Sequence, residues 1–177
     1  MTEIETKIDE IDIVEIKKIL DVNTLLVKDR KLMKRWIFNL GNEKDVDEFV
    51  RIRSDGKIST LTYKRRSGSG LANTEEIETE IGDFDIAAKI FSKIVNENYY
   101  QENFRTTYKY KDAEITIDEW PKLLPILEIE AESEEAIRSV IDELGIHGKE
   151  LGNIGWEKVY AMHGIELHSF KVLKFDN

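Results

Sequence analysis

Glu3-Ile4-Glu5-Thr6-Lys7 stands near the start of the chain, and its alternation decides the fold. A β-strand sends successive side chains to opposite faces. Glu3, Glu5 and Lys7 therefore share one face, and Ile4, Thr6 and Ile8 the other. Leu127-Glu128-Ile129-Glu130-Ala131 repeats the pattern far along the chain. A single charged strand is ordinarily the solvent side of a sheet. Here the same alternation recurs along most of the sequence and asks for one common explanation.

Working outward, residues 31–40 read as a strand with Trp36, Phe38 and Leu40 on one face and Arg35, Ile37 and Asn39 on the other. Residues 41–47 are polar and read as a loop. Phe49-Val50-Arg51-Ile52-Arg53 and residues 59–66 flank Asp55-Gly56, a strong tight-turn signal that predicts a hairpin. Ser67-Gly68-Ser69-Gly70 reads as a plain loop, because it lacks the spacing of a phosphate-cradling motif. Glu76-Ile77-Glu78-Thr79-Glu80-Ile81 is a strand with a wholly acidic face. A second hairpin is expected over residues 104–110 and 114–118, with the only two prolines, Pro121 and Pro125, in the connector that follows. Helices are expected over residues 11–20, after Asp83 with Ile86, Ile90, Phe91 and Ile94 as apolar positions, from Ser133 to a stop at Gly145, and over residues 156–163. Residues 170–175 suggest a terminal strand.

The 177 residues suffice for one domain with a sizeable core, and a single domain over 1–177 is expected. The net charge of −10 argues against nucleic acid as the main partner. There is no cysteine, so disulfides, thiolate chemistry and cysteine-bound metal are excluded. The opening residues are acidic rather than basic and then apolar, and no apolar run approaches the roughly 20 residues that span a bilayer. A cytoplasmic protein without a membrane partner, a monomer or homodimer, is expected.

The strands together present two contrasting faces. One carries Ile4, Trp36, Phe38, Val50, Ile52, Leu61, Tyr63, Ile77, Ile81, Tyr108, Tyr110, Ile115, Ile117, Leu127 and Ile129, a surface for packing helices. The other carries acids on three strands (Glu3 and Glu5; Glu76, Glu78 and Glu80; Glu128 and Glu130). It carries bases on four (Arg35; Arg51 and Arg53; Lys64 and Arg66; Arg105 and Lys109), and Lys7 adds one to the first strand. Fold class is thus α+β, mostly antiparallel β, with helices packed outside. If the sheet closes into a barrel, the charges line its lumen, where they need partners or ligands. Grouped carboxylates ask for a hard cation such as Mg²⁺ or Mn²⁺, and grouped arginines and lysines ask for phosphate oxygens. A phosphate chain with a divalent metal meets both demands.

Glu3-x-Glu5-x-Lys7, followed in order by Arg51-x-Arg53, Leu61-Thr62-Tyr63-Lys64, Glu76-x-Glu78-x-Glu80, Arg105 and Glu128-x-Glu130, resembles the CYTH superfamily, the triphosphate tunnel metalloenzymes. The resemblance implies a closed eight-stranded antiparallel β-barrel forming a charged tunnel. It implies that Glu3, Glu5, Glu128 and Glu130 hold metal, with help from Glu78 or Glu80. It implies that Lys7, Arg51, Arg53, Lys64 and Arg105 grip phosphates. Arg35, on the same charged face, joins the expected substrate-binding set, and Glu5, Lys7, Arg53 and Lys64 form the expected catalytic set. Internal ion pairing is the alternative for Arg35, Glu76, Glu78, Glu80 and Asp118. One departure is Asn103, where many members carry a basic residue. His147, His163 and His168 lie outside the charged strands and read as helix-end or surface residues.

With no cysteine, no evident serine–histidine pair and no histidine on a motif strand, water is the expected nucleophile, and activity should rise toward alkaline pH. The expected function is a metal-dependent triphosphatase acting on inorganic triphosphate or a triphosphorylated small molecule. Class IV adenylate cyclase is the first alternative, since it would share the metals and the basic clamp. A non-catalytic polyphosphate- or nucleotide-binding protein is the second; both acidic pairs count against it, because anion binding needs only the bases.

Overall fold

The computed structural model describes residues 4–41, 46–67 and 74–176. Glu3 and residues 68–70 of the expected loop lie outside the described residues, as do residues 42–45 of the polar loop. The elements in order are β1 (Ile4–Asp9), α1 (Ile13–Asn23), β2 (Leu25–Gly41), β3 (Val46–Ser54), β4 (Ser59–Ser67), β5 (Thr74–Ile81), α2 (Phe84–Phe91), β6 (Asn98–Tyr110), β7 (Ala113–Glu119), β8 (Ile126–Ala131), α3 (Glu134–Leu144), β9 (Lys149–Gly152), α4 (Trp156–Met162) and β10 (Val172–Leu173), with a 3₁₀ turn at Leu167–Ser169. The chain is α+β and mostly antiparallel. The hydrogen-bonded order is β5-β4-β3-β2-β6-β7-β8-β1-β9, with β10 parallel to β6. The expected closed eight-stranded barrel is not confirmed. Among the described residues there are ten strands, and their order is not closed by hydrogen bonds. Strand β10 lies within the terminal strand expected over residues 170–175, and β9, absent from the expected strands, is four residues long, too short to show an alternating pattern.

Two compact units can be distinguished, Met1–Lys31 with Phe104–Leu167, and Leu32–Asn103 with His168–Asn177. In the first, β1 pairs with β8, β8 with β7 and β7 with β6. Ile115, Ile117, Leu127 and Ile129 form a fully buried apolar face. Ile16 and Leu20 of α1 and Ile137, Val140 and Leu144 of α3 belong to the same core. Burying each such side chain contributes about 1.5–3 kcal/mol. Both helices have sequence-encoded starts. The Asp12 carboxylate accepts from the N–H groups of Val14 and Glu15, and the Ser133 hydroxyl accepts from the N–H of Ala136. Gly145 ends α3 at φ 64°, as its identity predicts.

In the second unit, β3 pairs with β2 and β4, and β4 with β5. The Asp55-Gly56 hairpin forms, but through a four-residue connection between the paired Ser54 and Ser59. The Asp55 carboxylate accepts from the N–H groups of Lys57 and Ile58, so only Gly56 needs positive φ. Helix α2 covers Phe38, Val50 and Ile52 with Phe84, Ala87, Ala88 and Phe91. This i, i+3, i+4, i+7 stripe keeps Phe91 of the expected one and corrects the rest, since Ile86, Ile90 and Ile94 are exposed and Ile94 lies beyond the helix. Ile77, expected on the packing face, is also exposed. It sits on the last strand of the order, and an eight-residue helix is only about 12 Å long, too short to reach over every strand.

Gly148 passes so close to β1 that an added Cβ would lie 2.6 Å from the Asp9 carbonyl oxygen and 2.6 Å from Ile8 Cγ2. Neither neighbour is the loose end of a long side chain. Gly148→Ala is expected to destabilise the protein by about 1–3 kcal/mol, the usual range for overpacking, measured as a lowered urea midpoint with unchanged m-value.

Candidate functional site

The ladder register assembles the charged face of the first unit. Glu5 lies opposite Glu130 and Lys7 opposite Glu128. Glu128 in turn lies opposite Thr116, Thr116 opposite Thr107, and Asp118 opposite Arg105. Cross-strand partners point the same way, so these side chains share one face. That face is buried: Lys7 is 2% exposed, Asp118 0% and Glu128 7%.

The Lys7 ammonium donates to Glu5 Oε1 at 2.9 Å and lies 3.0 Å from Glu128 Oε2. Its third neighbour is the ring of Trp156, 5.7 Å away at the centroid. Trp156 is the first residue of α4, where it stacks on buried Trp120 with centroids 4.6 Å apart. The Tyr160 hydroxyl, one turn on, donates to the Pro121 carbonyl at 2.7 Å. Arg105 grips Asp118 with both Nε and Nη2, the former at 2.8 Å, and Nη2 reaches Glu128 Oε1 at 3.3 Å. Both oxygens of Glu128 thus face a cation. Burial works against the charged forms of Lys7 and Arg105, but their carboxylate neighbours outweigh it and hold both pKa values above the ordinary range.

Glu5, Glu128 and Glu130 each offer an oxygen, and all three oxygens lie within 4.8 Å of one another. Hard oxygen donors at that spacing fit a Mg²⁺- or Mn²⁺-sized cation, whose bonds are about 2.0–2.2 Å. Beside them, the buried Thr116 hydroxyl makes no hydrogen bond among the described residues, so it adds one more polar oxygen to the donor set.

The second unit carries the other predicted bases, and the acids that pair with three of them are more exposed. Lys64 Nζ lies 2.7 Å from Glu76, Arg51 3.5 Å from both Glu76 and Glu78, and Arg53 3.9 Å from Glu78. The Thr62 hydroxyl donates to Glu78 at 2.6 Å. Partial burial would raise the Glu76 carboxyl, but its hydrogen bond from Lys64 and the nearby arginines bring it below the ordinary value. Arg35, 8% exposed, donates to the side-chain oxygen of fully buried Asn103. The residue at the usually basic position therefore serves as an acceptor for an arginine. Glu80 lies opposite Thr60 in the β4–β5 register.

Of the predicted set, Glu5, Lys7, Arg105, Glu128 and Glu130 fall in the first unit, and Arg35, Arg51, Arg53, Lys64, Glu78 and Glu80 in the second. Glu3 lies outside the described residues. Sequence reasoning missed Thr116, whose signal was its place between Glu114 and Asp118 on an alternating strand. It also missed the seat of Trp156 over Lys7. His163 does lie at a helix end, but it also contacts buried Asp9 at 2.9 Å, which no local pattern announced.

Residues 1–149 match the family model described as the CYTH domain. The chain belongs to the CYTH family. Members of this family are enzymes that act on triphosphate substrates and in general depend on metal. The chain matches no curated protein sequence. Among solved structures it is similar to a conserved hypothetical protein from Pyrococcus furiosus, at 22% identity and TM-score 0.66, covering 82% of this chain and 91% of that one. It is also similar to the protein PH1819 from Pyrococcus horikoshii, at 20% identity and TM-score 0.64, covering 91% and 99%. A third is an adenylyl cyclase candidate from Hippeastrum described by a dominant triphosphatase activity, at 15% identity and TM-score 0.58, covering 93% and 97%. No helix among the described residues is long and apolar enough to cross a membrane.

Two outcomes follow for the CYTH face. Asp118→Asn leaves the Arg105 guanidinium in a buried place with its bidentate partner gone, and is expected to cost about 3–5 kcal/mol in chemical denaturation; Lys64→Met, in a half-exposed pair, should cost less than about 1 kcal/mol. For Lys7, a folded-state pKa raised above 10.5 means that the folded chain holds this proton more tightly than the unfolded chain does. The stability from its pairing is then fully present below pH 10.5 and is lost as pH rises through the folded value. The stability difference between wild type and Lys7→Met should stay constant from about pH 7 to 10 and shrink only at higher pH.

Proposed function

We propose that this chain is a metal-dependent triphosphatase that hydrolyses inorganic triphosphate or a triphosphorylated small molecule. The observation that carries the reading is the Glu5, Glu128 and Glu130 oxygens, from one buried and two half-buried residues, within 4.8 Å of one another and bordered by Lys7 and Arg105. A face meant only to bind an anion would have no use for three convergent carboxylates.

Glu5, Glu128 and Glu130 are the residues that would hold Mg²⁺ or Mn²⁺, with Glu3 and Glu78 or Glu80 as further candidates. When bound, the ion supplies charge neutralisation at phosphate oxygens and makes water a better nucleophile near neutral pH. Lys7 and Arg105 in the first unit, and Arg35, Arg51, Arg53 and Lys64 in the second, bind phosphate oxygens and stabilise the charge that spreads over the transferred group. The half-exposed pairs of Lys64, Arg51 and Arg53 with Glu76 and Glu78 are weak enough for a polyanion to displace. Water attacks the terminal phosphorus and its proton leaves to solvent or to a carboxylate; the bond from that phosphorus to the bridging oxygen breaks, the oxygen leaves with the shortened phosphate chain, and orthophosphate is released.

A cyclase reading is kept because the Hippeastrum neighbour is described as an adenylyl cyclase candidate. In it the ribose 3′-hydroxyl attacks the α-phosphate and pyrophosphate leaves. The test is incubation of the purified chain and Mg²⁺ or Mn²⁺ with tripolyphosphate, ATP and thiamine triphosphate, with product identification. Orthophosphate from tripolyphosphate or thiamine triphosphate is expected; cyclic AMP with pyrophosphate from ATP overturns the hydrolase in favour of the cyclase. Tight tripolyphosphate binding with no turnover favours a binding protein. Glu130→Gln, which takes one charged ligand from the metal site, should lower turnover about 100-fold, with an unchanged circular dichroism spectrum.

A further inference from the structure

Lys7 is itself a cation seated on two of the three carboxylates. Its ammonium lies 2.9 Å from Glu5 and 3.0 Å from Glu128, inside a setting that leaves the residue 2% exposed. We propose that Lys7 is an intramolecular competitor for the metal site, released when its ammonium transfers to a phosphate of the substrate, so that metal and triphosphate bind cooperatively. The proposal deepens the reading of Glu5, Glu128 and Glu130 as metal ligands and rests on it.

Three observations carry it. First, the carboxylates coincide. Glu5 and Glu128 belong both to the convergent trio and to the Lys7 contacts. An ammonium and a divalent cation on the same carboxylates are like charges at close range in a buried place, where screening is weak. Second, both oxygens of Glu128 already face a cation, Oε2 facing Lys7 and Oε1 facing Arg105, so a metal that takes Glu128 brings a third positive centre beside two others, and their repulsion favours departure of the one held less firmly. Third, the two differ in how they are held. The Arg105 fork is fixed on both oxygens of Asp118, which is fully buried. Lys7 is a point charge on a flexible four-carbon stem, and the Trp156 ring beside it offers no hydrogen-bond acceptor to hold it. Lys7 is the group that yields.

A displaced ammonium needs another partner, because an unpaired charge in a buried place is costly. Phosphate oxygens supply it. Metal alone must therefore pull Lys7 away against its own attraction to Glu5 and Glu128, while triphosphate draws it off and leaves the carboxylates to the metal. By linkage, metal raises the affinity for triphosphate by the same factor.

The decisive experiment is Mn²⁺ binding to the full chain without any phosphate, by calorimetry or by the electron paramagnetic resonance of free Mn²⁺. Lys7→Met is expected to bind Mn²⁺ about tenfold more tightly than wild type, whereas Lys109→Met, which removes an exposed lysine from the same strand face, should change affinity less than twofold. Unchanged or weaker Mn²⁺ binding by a folded Lys7→Met overturns the competition and leaves the metal reading standing. No Mn²⁺ binding by wild type, even with tripolyphosphate present, overturns the metal reading and this proposal with it. A second measurement needs no substitution, should Lys7→Met fail to fold. In wild type carrying ¹³Cε-lysine, the Lys7 resonance should move as Mg²⁺ saturates and move further with tripolyphosphate; a resonance that stays in place at saturation overturns the displacement.

Discussion

A carboxylate removed from water needs a cation or a set of hydrogen-bond donors, and in the first unit this need organises everything around Glu128. The residue sits on β8 between β7 and β1, so each neighbouring strand must bring it something polar. β1 brings Lys7, β7 brings Thr116, and β6 reaches it through Arg105, one strand further away. The opposite faces of the same strands carry Ile115, Ile117, Leu127 and Ile129 against α1 and α3. The apolar side thus anchors the strands, and their register delivers charges of both signs to one buried place. A register slip of a single residue would reverse both faces, so the hydrophobic core and the charged cluster specify each other.

The two units handle charge differently. In the first, Asp118, Lys7 and Glu128 are almost wholly buried, and their pairs are strong because little water competes. In the second, the side chains of Glu76 and Glu78 keep more than a third of their surface exposed, and their pairs with Lys64, Arg51 and Arg53 are correspondingly weak. A buried cluster with convergent acids is suited to holding a cation in one place. Bases whose acidic partners stay partly in water are suited to exchanging those partners for the oxygens of a passing polyanion.

Much of this was legible because strands write their geometry into alternate positions. Glu5 and Lys7, Arg51 and Arg53, and Glu128 and Glu130 announced their shared faces without any knowledge of packing, and the caps at Asp83 and Ser133 and the stop at Gly145 marked helix ends through local hydrogen bonding. Where the reading failed, distant contacts had overruled a local pattern. Ile86, Ile90 and Ile94 form a plausible stripe, yet α2 turns Phe84, Ala87, Ala88 and Phe91 toward the sheet, because the larger aromatic rings fill the space beside Phe38. Strand β2 begins at Leu25 rather than near Lys31, and β6 at Asn98 rather than Phe104. Strand length is decided by what lies alongside, and pairing partners are not local.

The sequence by itself determined which residues share a face, where most turns and helix ends fall, and which chemistry the charged face is suited to, since all of these follow from side-chain type at fixed spacing along a strand or helix. Only the tertiary structure decided which charges are buried, which carboxylates converge, and which cation stands on them. Glu5 and Glu128 are separated by more than a hundred residues, and nothing in either stretch states that one lysine will touch both. That outcome depends on the antiparallel pairing of β1 with β8 and on the burial that surrounds it, and long-range pairing and desolvation leave no mark on a local pattern.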